Sequence, residues 1–80
     1  MDRSMPIAFL LLNVKLGKEE DVLNALKAVK EVKYAQRVYG VYDTVVKVEA
    51  DSMDALKQVV NQRIKKIENI TSVVSLIVMG

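Results

Sequence analysis

Apolar and polar positions divide the chain into six segments with two different periodicities. Residues 7–15 (IAFLLLNVK) are a short apolar run containing an aromatic residue, which predicts a strand, and Gly17 ends it. Residues 18–30 place Val22, Leu23, Leu26 and Val29 on one stripe, with Glu19, Glu20 and Asp21 in the first turn, where acids favour the helix dipole; this predicts a helix. Residues 32–39 (VKYAQRVY) are β-branched and aromatic and predict a second strand; residues 40–43 form the turn and residues 44–50 (TVVKVEA) a third strand. Asp51 or Ser52 caps a second helix over residues 53–67, with a stripe of Met53, Leu56, Val60, Ile64 and Ile67 and with Lys65 and Lys66 near its C-terminal end. Glu68 and Asn69 break that helix, and residues 70–79 (ITSVVSLIVM) predict the last strand. Residues 1–6 are a short tail in which Pro6 favours an extended start.

The order is βαββαβ, two strand–helix–strand halves with no linker, so residues 1–80 are expected to form one domain. This is the split-βαβ, ferredoxin-like arrangement of the α+β class. Right-handed crossovers put both helices on one face of an antiparallel four-stranded sheet, with expected strand order 4-1-3-2. Such a sheet needs only one apolar face. Here the first strand is apolar on both: Ile7, Phe9 and Leu11 precede Asn13 on one side, and Ala8, Leu10, Leu12 and Val14 form the other. The last strand repeats the pattern, with Val73, Ser75, Ile77 and Met79 against Val74, Leu76 and Val78. The second strand is mixed, and only the third alternates visibly, with Lys47 and Glu49 on one side. A bare apolar face would exceed the few hundred Å2 that monomers tolerate. Covering about 600 Å2 of it is worth on the order of 15 kcal/mol before the costs of association. The expectation is therefore a two-fold, sheet-to-sheet homodimer.

Composition narrows the chemistry. Eighty residues without His, Cys or Trp offer no imidazole base, no thiol nucleophile, no disulfide and no thiolate zinc site, leaving only oxygen-ligand metal sites. The acids at Glu19, Glu20, Asp21, Asp51 and Asp54 are accounted for by capping and helix-dipole roles, so neither a metal nor a cofactor is expected. A net charge of +2 is weak evidence for a nucleic-acid surface, and the pI of about 9.0 overstates it because no His buffers the chain. Arg63, Lys65 and Lys66 read as a solvated helix face. The longest apolar run, residues 7–12, is far short of the ~20 residues of a membrane helix, so the expected location is the cytoplasm, away from any membrane.

The most informative segment is Tyr39-Gly40-Val41-Tyr42-Asp43. Gly40 permits positive φ and close approach of a backbone. Asp43 has two readings, as an acceptor of its own chain's N–H groups or of a ligand ammonium. Two tyrosines flank the turn, and loop aromatics line pockets or interfaces. Thr71, Ser72 and Ser75 place hydroxyls on the last strand, suited to a carboxylate or an amide and equally suited to a tolerant edge strand. Asn13 and Lys15 end the first strand with no role assigned.

The whole pattern resembles the effector-binding (RAM) domain of the Lrp/AsnC transcriptional regulators. The matching stretches are IAFLLLNVKLGKEEDVLNAL, VKYAQRVYGVYDTVVKVEADSMDAL and IKKIENITSVVSLIV, and the most specific element is R-V-Y-G-x-Y-D at residues 37–43. The family's full-length regulators carry an N-terminal helix-turn-helix domain, whereas six residues precede the first strand here, so the resemblance implies the stand-alone form and no direct DNA binding. Glu68-Asn69-Ile70 stands where many relatives have a Gly-containing turn. The resemblance implies dimers assembling into rings, commonly octamers, with a free amino acid bound between dimers at Tyr39, Gly40, Tyr42 and Asp43 and at Thr71, Ser72 and Ser75. It further implies a non-enzymatic role in transcription, through co-assembly with full-length regulators. The alternatives are a small dimeric α+β barrel-type enzyme, disfavoured by the apolar interior, and a ligand-free oligomerisation domain.

Overall fold

In the computed structural model, which describes residues 5–78, the elements run β1 (Ile7–Val14), α1 (Glu19–Lys27), β2 (Val32–Arg37), β3 (Thr44–Glu49), α2 (Met53–Val59) and β4 (Ile70–Ile77). A π-helical segment, Val60–Ile64, continues α2. The sheet is antiparallel in the order β2-β3-β1-β4, the order expected from the sequence read from its other edge, and the fold is ferredoxin-like. Residues 1–4 of the tail and Met79 of the expected last strand lie outside the described residues.

The helices are shorter than the periodicity predicts, and the backbone shows why. After Lys27 the chain tightens: Ala28 N–H is shared between the Asn24 and Ala25 carbonyls, and Val29 N–H reaches the Leu26 carbonyl three residues back at 3.1 Å. Val29 stays buried from this turn, so it serves the core without belonging to the helix. Ser52, not Asp51, caps α2: its Oγ accepts from Ala55 N–H at 3.1 Å. The helix expected to run to residue 67 changes register after Val59, where Lys65 N–H bonds the Val60 carbonyl five residues back at 2.9 Å. Leu56, Val59, Val60 and Ile64 are buried from this stretch, whereas Met53, placed on the stripe by periodicity, is exposed at its start. The second strand stops at Arg37, so Tyr39 belongs to the loop.

Cross-strand register sorts the sheet into two faces. Toward the helices stand Ala8, Leu10 and Leu12 of β1, Thr44, Val46 and Val48 of β3 and Ala35 of β2, all buried. They meet Val22, Leu26, Leu56 and Ile64 in one core. The outer face is built in rows. The first sets Glu49 against Ile7, with Val78 N–H bonding the Ile7 carbonyl. The second holds Tyr34, Lys47, Phe9 and Leu76, and the third Gln36, Val45, Leu11 and Val74. No residue of these rows is buried; Tyr34 and Leu76 are about half exposed, at 46% and 50%. One helix layer therefore shields one face and leaves a second, largely apolar face in contact with solvent.

The turn into β4 is held by a residue in a conformation that side chains rarely adopt. Asn69 has φ +74°, and its carbonyl accepts from Lys15 N–H at 2.8 Å, tying the exit of β1 to the entry of β4. Asn is among the few non-Gly residues that tolerate this region. Asn69→Leu is expected to cost about 1 kcal/mol, seen as a fall of about 4–8 °C in Tm, whereas Asn69→Gly keeps Tm close to wild type in the same thermal unfolding measurement.

Candidate functional site

The loop 38–43 joins β2 to β3 at the end of the sheet where β1 finishes and β4 begins. Two backbone bonds pin its last residue: Asp43 N–H donates to the Leu12 carbonyl at 3.0 Å, and the Asp43 carbonyl accepts from Val38 N–H at 2.9 Å. The side chain adds two more. Oδ2 accepts from Val14 N–H at 3.1 Å, and Oδ1 accepts from the Thr44 hydroxyl at 2.9 Å. Thr44 is 4% exposed, a polar side chain among the core positions, and the Asp43 carboxylate is what satisfies it. The first of the two readings of Asp43 is seen in the geometry, where both oxygens hold the loop to its own chain; each oxygen keeps a further lone pair, so the second reading is compatible with it.

Beyond this anchor the loop stands free. Tyr39 is fully exposed at 106%, Val41 is exposed at 85%, and Gly40 takes φ +146° with only the Tyr42 carbonyl near the position a Cβ would occupy, at 3.9 Å. Strain from that φ, not lack of space, is what a side chain at 40 would meet. Tyr42 is half-buried. A shallow hollow of about 270 Å3 is lined by Arg37, Val38 and Tyr39. A second hollow, about 170 Å3 and lined by Lys30, Glu31, Lys33, Glu49 and Asp51 among others, lies at the opposite end of the sheet. Among the described residues no group of three or more Asp and Glu side chains is placed to share a metal ion, and no helix is long and apolar enough to cross a membrane.

The three hydroxyl residues of β4 are not equivalent. Ser72 pairs with Asn13 on the outer face, and its Oγ accepts from Asn13 Nδ2 at 3.1 Å. Thr71 is the extra residue of a bulge, because Val14 pairs with Ile70 while Asn13 pairs with Ser72. Ser75 pairs with Leu10, so it lies on the helix-side face, three residues along the strand from Ser72. The structure thus brings Ser72 and Thr71 to the loop end of the sheet and sets Ser75 apart. It also brings in Asn13, to which sequence reading attached no role. Asn13 and Ser72 close the apolar outer face with a polar pair, and Asp43 accepts from the N–H of the next residue of β1, Val14.

A family model for the Lrp/AsnC ligand binding domain matches residues 7–80. The chain belongs to that family. Among solved structures, FFRP-DM1 is 40% identical, with a TM-score of 0.89 over 94% of this chain and 100% of that one. A hypothetical protein from Pyrococcus horikoshii is also 40% identical, with a TM-score of 0.88 over 94% of this chain and 90% of that one. AsnC of E. coli is 30% identical with a TM-score of 0.86; the match covers 94% of this chain and 51% of AsnC, so this chain corresponds to about half of that regulator. A Neisseria meningitidis transcriptional regulator whose structure is a complex with L-Met shares the fold at 18% identity and a TM-score of 0.82, over 98% of this chain and 51% of that one. No curated protein gives a significant match. For this Lrp/AsnC domain the match spans every element of the fold and both sides of the loop 38–43.

Asp43 gives a direct test of the anchor. Asp43→Ala removes two hydrogen bonds and leaves the Thr44 hydroxyl without its acceptor, an expected loss of about 1–3 kcal/mol. Hydrogen exchange is expected to show faster exchange at Val14 N–H and across residues 38–43 while the helix amides stay protected. Unchanged protection at Val14 would count against the anchor.

Proposed function

We propose that this Lrp/AsnC domain is an effector-sensing module that works in the cytoplasm: it binds a free amino acid, assembles from homodimers into a higher oligomer, commonly an octamer in such domains, and modulates transcription together with full-length Lrp/AsnC regulators. The proposed contacts are Tyr39, Gly40, Tyr42 and Asp43 from the loop, Asp43 also holding the loop in place, and Thr71, Ser72 and Ser75 from β4, with Ser75 reached from the helix side. No catalytic role is assigned to any of them.

The observation that carries this reading is the loop 38–43, fully exposed at Tyr39 yet pinned at Asp43. A rigid, exposed aromatic loop is suited to contact with something outside the chain. The hollow beside it, about 270 Å3 and open, falls short of the roughly 300–1,000 Å3 of ligand pockets, so a second copy is needed to close it. The open outer face supplies the reason for that second copy, since Phe9, Leu11, Val74 and Leu76 gain cover from an identical sheet. The L-Met bound to the Neisseria meningitidis regulator supports an amino acid as the ligand class.

Two measurements test the proposal. In sedimentation at micromolar concentration the wild type is expected as a dimer or larger, and Phe9→Glu, which puts a charge in the middle of the outer face, as a monomer; a monomeric wild type would overturn the assembly. In a thermal-shift screen of the twenty standard L-amino acids, beginning with L-methionine, a ligand at one hundred times its Kd is expected to add about 2.7 kcal/mol of stability. Stability unmoved by all twenty leaves a ligand-free oligomerisation domain as the reading.

A further inference from the structure

We propose that Asn13, at the end of β1, touches the effector directly and, with Ser72, reads the two charged groups of a free α-amino acid. This rests on the effector-binding reading above and adds to it a residue on a strand that lies outside the loop motif. Asn13 is half-buried on the outer face, and its Nδ2 donates to Ser72 Oγ at 3.1 Å. That bond fixes the amide and leaves specific valences open. Among the described residues, Asn13 keeps Oδ1 as an acceptor and one further Nδ2 hydrogen, and the Ser72 hydroxyl, already accepting, keeps its own hydrogen to donate. An acceptor joined to donors a few ångströms away is the complement of a zwitterion, whose ammonium needs the acceptor and whose carboxylate needs the donors.

The neighbours add to the assignment. The Asp43 carboxylate accepts from Val14 N–H and the Thr44 hydroxyl, one bond on each oxygen, and keeps further lone pairs beside the loop; among the described residues no hydrogen bond reaches the amide oxygen of Asn13, which adds a neutral acceptor next to Ser72. Along β1 and β4 the outer face carries Leu11 and Val74, Phe9 and Leu76, and Ile7, so among the described residues side-chain hydrogen bonding on this face gathers at the loop end, at Asn13 and Ser72 beside the bulged Thr71. An exposed Asn–Ser bond adds little to folding, whereas a hydrogen bond to a charged ligand group is worth more.

Isothermal titration with the twenty standard L-amino acids, L-methionine first, tests this on the intact protein. For the amino acid that wild type binds, Asn13→Ala is expected to weaken affinity about tenfold or more, Ser72→Ala comparably, and Ser72→Thr, which keeps the hydroxyl, by less than about threefold. Light-scattering mass and ligand-free Tm are expected to stay at wild-type values in all three. Affinity within twofold of wild type in Asn13→Ala overturns this inference and leaves the effector reading standing. A wild type that binds none of the twenty overturns both. Loss of binding in Asn13→Ala and Ser72→Ala only together with loss of the assembly gives the pair a structural role and overturns the inference as well.

Discussion

A four-stranded sheet that is apolar on both faces but has helices for only one sets the terms for everything else in this molecule. The inner face is resolved within the chain: Leu10, Leu12, Val46 and Val48 are sealed beneath Val22, Leu26, Leu56 and Ile64. The outer face is not. At about 25 cal/mol per Å2, an apolar surface of several hundred Å2 left in water forgoes free energy comparable to a small domain's whole net stability. An 80-residue chain has no third layer to spend on it. The physical pressure toward a second sheet is therefore a property of the backbone register itself, since the alternation that buries Leu10 and Leu12 is the one that turns Phe9 and Leu11 outward.

The outer face also has an end. Its rows run from Ile7 through Phe9 and Leu11 and stop at Asn13, where Ser72 replaces a hydrophobic neighbour and Asp43 binds the N–H of the following residue, Val14. Here four chain segments are tied by short polar contacts: Asp43 to Val14 and Thr44, Asp43 N–H to Leu12, Asn13 to Ser72, and Lys15 N–H to Asn69. The exposed loop is consequently stiff at its root and free at its tip, a combination that lets Tyr39 project without the ordering cost a floppy loop would incur on binding.

How far this was legible in the sequence depended on whether a feature is local or needs register. The six elements and their order followed from local signals, apolar or β-branched runs for the strands and stripes of period 3.6 for the helices, with Gly17 and the caps as punctuation. The ends of both helices did not: the tightened turn after Lys27 and the π-helical segment after Val59 depend on carbonyl partners, while the apolar stripe looks the same in either case. The doubly apolar character of β1 was visible in its letters, but the positions of Lys47 and Glu49 opposite Phe9 and Ile7 required the strand pairing. The candidate site divides the same way. Gly40 and its flanking tyrosines announce a loop with special geometry, whereas Asp43 as an acceptor left its partners open until Val14 and Thr44 came within reach. Ser75 and Ser72 look alike as hydroxyls on one strand, and only parity puts them on opposite faces. Asn13 gave no local signal; a single Asn at a strand end acquires meaning from Ser72, 59 residues away.

Placing the polar row at the rim of the uncovered face has a consequence for switching. A ligand changes an assembly only if it binds two arrangements with different free energies. A site buried in the middle of a sheet-to-sheet contact would compete with the apolar cover, and a site far from it would be indifferent to assembly. At the rim, in the proposed assembly, a ligand on Asn13 and Ser72 would leave Phe9, Leu11, Val74 and Leu76 free to meet a second sheet, and the exposed loop 38–43 stands at the same end of the sheet. Its two ends would then meet different surfaces, one on the chain that holds Asn13 and Ser72 and one supplied across the loop by a second copy. On the proposed reading, the differential contact that a switch requires would fall to Tyr39 and its neighbours, with Asp43 fixing the root of their loop.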